Sequence, residues 1–180
     1  MGEPASTNGA EPSSNASPLR PKYGRVLLKL GGEMFGVATL RVREIIEYGN
    51  ITSVPMMPGY MRGVINLRGA VVPVIDLNER FGRARTEASR RTCIVILEVE
   101  AEDATHLLGI IVDAVSAVRR IDSGSIEPAP TFGTRIRADF IDGMAKVNSA
   151  FVILLNLGRV LSLDELSMIS GHATAAALEA

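Results

Sequence analysis

From Tyr23 onward the chain is a succession of short apolar runs cut by one or two polar or glycine residues; before Tyr23 that pattern is absent. Residues 1–22, MGEPASTNGAEPSSNASPLRPK, carry little that is large and apolar beyond Leu19. Such a stretch cannot bury enough surface to offset the entropy of ordering it, which predicts a disordered tail. RVLLKLGGEMFGVA then reads as a strand, a Gly31-Gly32 turn and a second strand. TLRVREIIEY, with Leu40, Val42, Ile45 and Ile46 apolar, fits a short turn or helix as well as an irregular strand. NITSVPMMP predicts an extended edge, because Pro55 and Pro58 each remove a ladder donor.

GVINLRGAVVPVIDL (63–77) predicts a tight hairpin, Val64–Leu67 and Ala70–Ile75, across Arg68-Gly69, with NERFG as a helical turn after it. The polar connector RARTEASRR (83–91) reads as a solvated linker. CIVILEV and LLGIIVDAV form a second long hairpin across the polar turn EAEDATH, and SGSIEPAPTFGTRIRAD reads as a loop. FIDGMAKV and AFVILLNL make a last hairpin. A helix over 162–170 is announced by the capping pair Ser162 and Glu165, and residues 171–180 fray beyond it. Several of these strands are apolar at consecutive positions, so both of their faces need cover.

The two halves resemble each other. FGVATLRVREI parallels LGIIVDAVSAV with Gly36 and Gly109 73 residues apart; MRGVINL parallels IDGMAKV through Gly63 and Gly143, and VIDLNERF parallels LLNLGRVL through Asp76 and Asn156, both 80 apart. Matches in order at nearly constant spacing predict two related β lobes. The expected fold is all-β: two small five-stranded barrels whose outer faces cover each other. The first lobe spans about 36–82 and the second about 92–157, with the strand 24–31 free to join the second.

Composition narrows the chemistry. Hydrophobic residues make up 47% of the chain and aromatics 4%, with no Trp, so the core is aliphatic. A net charge of −1 gives no general pull toward nucleic acid or acidic membranes. Cys93 is the single cysteine, which excludes an intrachain disulfide and a Cys-based zinc site, and its apolar surroundings predict a core residue. His106 and His172 are remote from each other and from carboxylate clusters, so no metal and no cofactor is expected. GGEMFG lacks the Lys and Ser/Thr of a P-loop, since Val37 and Ala38 follow it. Glu102-Asp103 and Asp164-Glu165 fall in a turn and a helix start, and no G-x-S-x-G is present. The connector arginines have only Phe81 near them for stacking. The chain reads as non-enzymatic. Arg68 leaves two readings open: a turn residue reaching water, or a fork that caps carbonyls or carboxylates at an interface.

RGVINLRGAVVPVIDL, together with FGVATLRVREII, GIIVDAVSAVRRI and IEPAP, resembles the CheW family, the adaptors of bacterial chemosensory arrays, over about residues 24–170. The resemblance implies two SH3-like five-stranded barrels around a shared hydrophobic core, with short helices and a C-terminal helix. It implies a cytoplasmic adaptor at chemoreceptor arrays, coupling the receptors' cytoplasmic tips to the histidine kinase CheA. Positions matching the family's receptor groove are Thr39, Val42 and Val115, with Glu44 beside them and Arg68 in the hairpin; positions facing the kinase regulatory domain are Ile51, Val54 and Gly63. Adaptors of related pilus or developmental systems fit the same residues. A ligand- or oligonucleotide-binding barrel is the alternative of another class, disfavoured by the scarcity of aromatics and of a basic face.

Overall fold

A computed structural model describes residues 24–101, 103–129, 136–161 and 165. Gly31 and Gly32 both take positive φ (57° and 81°), which closes the first hairpin between β1 (Gly24–Leu30) and β2 (Glu33–Ala38). A single 3-10 turn, Thr39–Arg41, leads into β3 (Val42–Glu47). β4 (Met61–Leu67) and β5 (Ala70–Asp76) turn at Arg68 and Gly69, both at positive φ, and α1 (Leu77–Arg80) follows. β6 (Cys93–Ala101), β7 (Ala104–Val112), β8 (Ala114–Arg120), the two-residue β9 (Ile126–Glu127), β10 (Ile141–Val147), β11 (Ala150–Leu155) and α2 (Leu157–Val160) complete the order.

Three local expectations change. The extended edge at 50–58 is reduced to one bridge, Thr52 with Val64, because the prolines and the left-handed Met56 (φ 60°) interrupt pairing. LLGIIVDAV is two strands, not one: the chain bends at Asp113, whose carboxylate accepts the Gly31 N–H at 2.7 Å. EAEDATH is largely strand: β6 runs to Ala101 and β7 starts at Ala104, with Asp103 between them at φ 59°. The expected tails, 1–22 and 171–180, and all of the helix 162–170 except Glu165, lie outside the described residues.

The strands form two sheets, in the orders β8-β1-β2-β11-β10-β9 and β3-β6-β7-β5-β4. They cut across the lobe ranges drawn from the sequence. β6 and β7, from the range 92–157, pair with β3 and β5; β2, from the range starting at 36, pairs with β11. Each half has thus given its long hairpin to the other half's sheet. The registers make the exchange reciprocal: Gly36 opposes Leu27 and, in parallel, Leu154, while Gly109 opposes Ile96 and, in parallel, Val74. Six strands stand in one sheet where five were expected, because β9 pairs with β10 where its counterpart in the other sheet is only the Thr52 bridge.

The exchange explains the two-faced apolar strands. Along β1, Val26, Leu28 and Leu30 enter a central core, and Leu27 enters a core within its own lobe. Along β6, Val95, Leu97 and Val99 enter the same central core, and Ile94 and Ile96 the other lobe's own core. The glycines at equivalent places are needed by close approach. A Cβ on Gly36 or Gly109 would stand 2.9 Å from Leu154 or Ile94, and one on Gly143 would stand 2.5 Å from Ile126.

Asp76, fully buried, ends β5 and is saturated with donors. Its carboxylate accepts from Asn78 N at 3.0 Å, from Thr86 N at 2.8 Å and Oγ1 at 2.7 Å, and from Arg62 at 3.4 Å. Asn78 extends the network to Asp113 (3.3 Å), and Arg62 extends it to the Tyr48 hydroxyl (3.0 Å). The connector after α1 is therefore pinned, not simply solvated: Thr86 is buried on Asp76, and Arg83 donates to Leu30 O at 3.1 Å and to Glu33 at 2.8 Å. Arg80 joins the lobes from α1. It stands 5.0 Å from the rings of both Tyr60 and Phe140 and donates to the Val160 carbonyl at 2.6 Å.

Two outcomes follow from this architecture. Leu28→Ala and Leu97→Ala each lower stability by about 2–5 kcal/mol, and urea unfolding stays a single transition, with circular dichroism and Cys93 alkylation giving coincident curves. Asp76→Ala strands Thr86, Asn78 and Arg62 without their acceptor and costs about 3–5 kcal/mol in the same assay.

Candidate functional site

β3 and β8 are the outer strands at equivalent ends of the two sheets, each paired on one side only among the described residues. Val42 opposes Leu97 and Val115 opposes Leu28, so the two valines are counterparts under the repeat. Leu28 and Leu97 are both fully buried in the central core, and Val42 and Val115 pack half-buried against its border. Next along the same faces come Ile45, opposite Val95, and Val118, opposite Val26. Both are exposed, at 45% and 39%. Each edge strand therefore lines the margin of the shared core with a valine and a second, more exposed aliphatic. The sequence reading singled out Val42 and Val115 but not Ile45 or Val118; the 73-residue spacing, extended three positions, was the signal that could have found them.

Thr39 opens the 3-10 turn before β3, half-buried, and its Oγ1 is buried with no partner among the described residues. Beside it Leu40 is 57% exposed.

Arg68 does not simply reach water. Its fork spans both oxygens of Glu44, Nη1 to Oε1 at 2.8 Å and Nη2 to Oε2 at 3.1 Å. The bidentate pair ties the tip of the β4–β5 hairpin to β3. The tip is also closed by the Gly69 N–H donating to the Asn66 side chain at 2.9 Å. Arg68 remains 76% exposed while Glu44 is 23% exposed, so the guanidinium covers its carboxylate and still faces outward.

The expected kinase-facing positions fall on another surface. Ile51 packs half-buried against the core of the five-stranded sheet, and Val54 against the central core. Gly63 is buried at a bulge in β4, at φ 146°, and Thr52 crosses over it with backbone hydrogen bonds to Val64 of 2.9 and 2.8 Å. A Cβ there would collide with the Thr52 carbonyl and stand 2.8 Å from Ile51. Gly63 thus presents no side chain of its own; it lets the segment that carries Ile51 cross close over β4.

Among the described residues no group of three or more His, Cys, Asp or Glu is placed to hold a metal, and no helix is long and apolar enough to cross a membrane. Cys93 is half-buried and packs against the central core; burial pushes its thiol up, against the smaller opposing effect of a backbone hydrogen bond from Val115.

Comparison with known proteins agrees with this layout. The family model described as the CheW-like domain matches residues 25–165. The chemotaxis protein CheW of Klebsiella aerogenes is 30% identical over 148 residues, covering 82% of this chain and 87% of that one. Its namesake in Rhizobium meliloti is 31% identical over 154 residues, 84% of this chain and 97% of the other. The crystal structure of the scaffolding protein TtCheW from Thermoanaerobacter tengcongensis superposes with a TM-score of 0.72 at 33% identity, covering 86% of this chain and 96% of that chain. With two lobes of matching fold, and with the matched region spanning both exchanged hairpins, the chain belongs to the CheW-like domain family.

Proposed function

We propose that this protein is a non-enzymatic adaptor that couples the cytoplasmic tips of chemoreceptors to the regulatory domain of a CheA-type histidine kinase, within chemosensory arrays in the cytoplasm. The names of its relatives, chemotaxis and scaffolding proteins, support the class of role. The observation that carries the finer reading is an asymmetry between the two hairpin tips. The counterparts of Arg68 and Glu44 in the repeat are Asn148 and Ala117, and the β10–β11 turn, with Asn148 at φ 48° and Ser149 at φ 66°, closes without an ion pair among the described residues. A hairpin of this kind does not require the pair in order to fold. Its presence at one tip only, beside the apolar margin of β3, fits a contact made for a partner.

In this reading the receptor's helical tip lays its apolar stripe along Val42 and Val115, extended by Ile45 and Val118. Thr39 lies at the end of the stripe, half-buried, beside the exposed Leu40. Arg68, positioned by Glu44, turns its outward donors to the receptor. The kinase domain meets Ile51 and Val54, and Gly63 is the residue that holds their segment in place.

Calorimetric titration with two baits, a receptor tip fragment and the kinase regulatory domain, tests the assignment. Arg68→Ala weakens tip binding about 10-fold, leaves kinase binding intact and lowers stability by about 1 kcal/mol or less, as expected of an exposed pair. Glu44→Ala does the same to a smaller extent, by releasing the fork. Gly63→Ala shows the reverse selectivity, losing the kinase domain and keeping the tip. A wild-type chain that binds neither bait from its own organism overturns the reading.

A further inference from the structure

Three of the cavities on the lobes differ in charge. One of about 370 Å³ includes Arg41, Glu98, Glu100 and Asp142 in its wall, and its arginine is already paired with Glu100 at 3.5 Å. A second, of about 310 Å³, holds Arg62 and Arg85, which are paired with Asp76 and Glu79. The third, of about 390 Å³, is lined by Lys29, Arg91, Cys93, Ala114, Val115 and Ser116, with no carboxylate.

In the third cavity the two cations lack a counter-charge. Lys29 stands opposite Ala114 in the β1–β8 register, and Arg91 precedes Cys93 by two residues; both are exposed. Neither forms an ion pair among the described residues, whereas nine other arginines do. Cys93 does not neutralise them either, because burial keeps its thiol protonated. The remaining lining, the half-buried Cys93, Ala114, Val115 and Ser116, is small, with the Ser116 hydroxyl its one polar side chain besides the cations and the thiol.

We infer that this cavity receives an apolar side chain together with a neighbouring carboxylate from the receptor's helical tip, with Lys29 and Arg91 selecting the acidic group. The inference rests on the docking role proposed for Val115. Residues three or four apart lie on one face of a helix, so an aliphatic anchor and a Glu or Asp one turn away enter together. The aliphatic fills the floor beside Val115 and the carboxylate meets the rim. Lys29 and Arg91 act as specificity determinants, since charge at a rim governs encounter and partner choice more than the final depth of binding.

The test uses the full chain and a fluorescently labelled helical-hairpin fragment from the cytoplasmic tip of a chemoreceptor of the same organism. Anisotropy titrations compare wild type, Lys29→Gln/Arg91→Gln and Lys29→Glu/Arg91→Glu at low and high ionic strength, with the kinase regulatory domain titrated in parallel. Both side chains are exposed, so the variants keep the wild-type melting temperature. The expected result is a loss of about 10-fold in tip affinity for the double reversal at low salt, a smaller loss for the neutral pair, and convergence of all three at high salt. Kinase binding is unchanged, and tip binding slows alkylation of Cys93 in the wild type. Equal low-salt affinities in all three proteins overturn the inference, as does unaltered Cys93 reactivity with the tip bound. So does a loss that falls on the kinase domain instead. If the wild type binds no tip fragment, the coupling role itself fails, an outcome distinct from those.

Discussion

The structure depends on one constraint: the hairpins β1–β2 and β6–β7 are apolar on both faces, and neither half of the chain can cover both faces alone. A curled sheet of a few strands encloses one face and leaves the other to water. By lending each hairpin to the opposite sheet, the chain places Leu28 and Leu97 in one central core, and Leu27 and Ile96 in the cores of the individual lobes. The exchange also makes the lobes inseparable. To pull the two halves of the chain apart would expose the central core and tear β2 from β11 and β7 from β5, the two parallel ladders. A scaffold benefits from that rigidity, because surfaces on different lobes keep a fixed relation to each other.

The polar counterpart of this constraint is Asp76. A buried carboxylate is tolerable only when its oxygens are filled with donors, and here three elements supply them: Arg62 on β4, Asn78 in α1 and Thr86 in the connector. Asn156, its counterpart in the second half, stands at the start of the equivalent helical turn without a side-chain capping hydrogen bond. The difference has a physical reason. Among the described residues it is the first half that holds a connector, residues 83–91, against the β1–β2 turn, and a charged acceptor fixes that chain more firmly than an amide would.

Much of this was legible in the sequence because repeats and turns are local. The Gly31-Gly32 and Arg68-Gly69 turns, the paired strands around them and the equivalences Gly36/Gly109 and Gly63/Gly143 need only short-range chemistry and periodicity. The exchange was not legible in the same way. Both hairpins are equally apolar and equally able to pair with either half, so sequence neighbourhood suggested contiguous lobes while burial of both faces required crossed ones. For the same reason Ile45 and Val118 escaped notice: their partial exposure comes from lying on edge strands, which only the strand order reveals. The Arg68–Glu44 pair spans 24 residues and two strands, and no local pattern indicates it. Arg83 looked like one of several solvated arginines until the fold brought Leu30 and Glu33 beside it.

The repeat separates what the fold needs from what it does not. Positions that must match for two lobes to form do match: glycine at 36 and 109 and at 63 and 143, leucine at 28 and 97, valine at 42 and 115. Positions free of that requirement have diverged. Arg68 faces Asn148 across the repeat, Glu44 faces Ala117, and the exposed Val71 has the exposed Phe151 as its counterpart. A duplicated scaffold with identical surfaces would offer the same contact twice. Divergence at the hairpin tips and edge strands gives the lobes different chemistries on equivalent sites, a difference that the proposed adaptor role between two unlike partners would use. Val42 and Val115 keep their match because they serve the core margin first; in the adaptor role proposed above, the exposed charges around them, Arg68 with Glu44 on one lobe and Lys29 with Arg91 near the other, would discriminate between partners at little cost to folding.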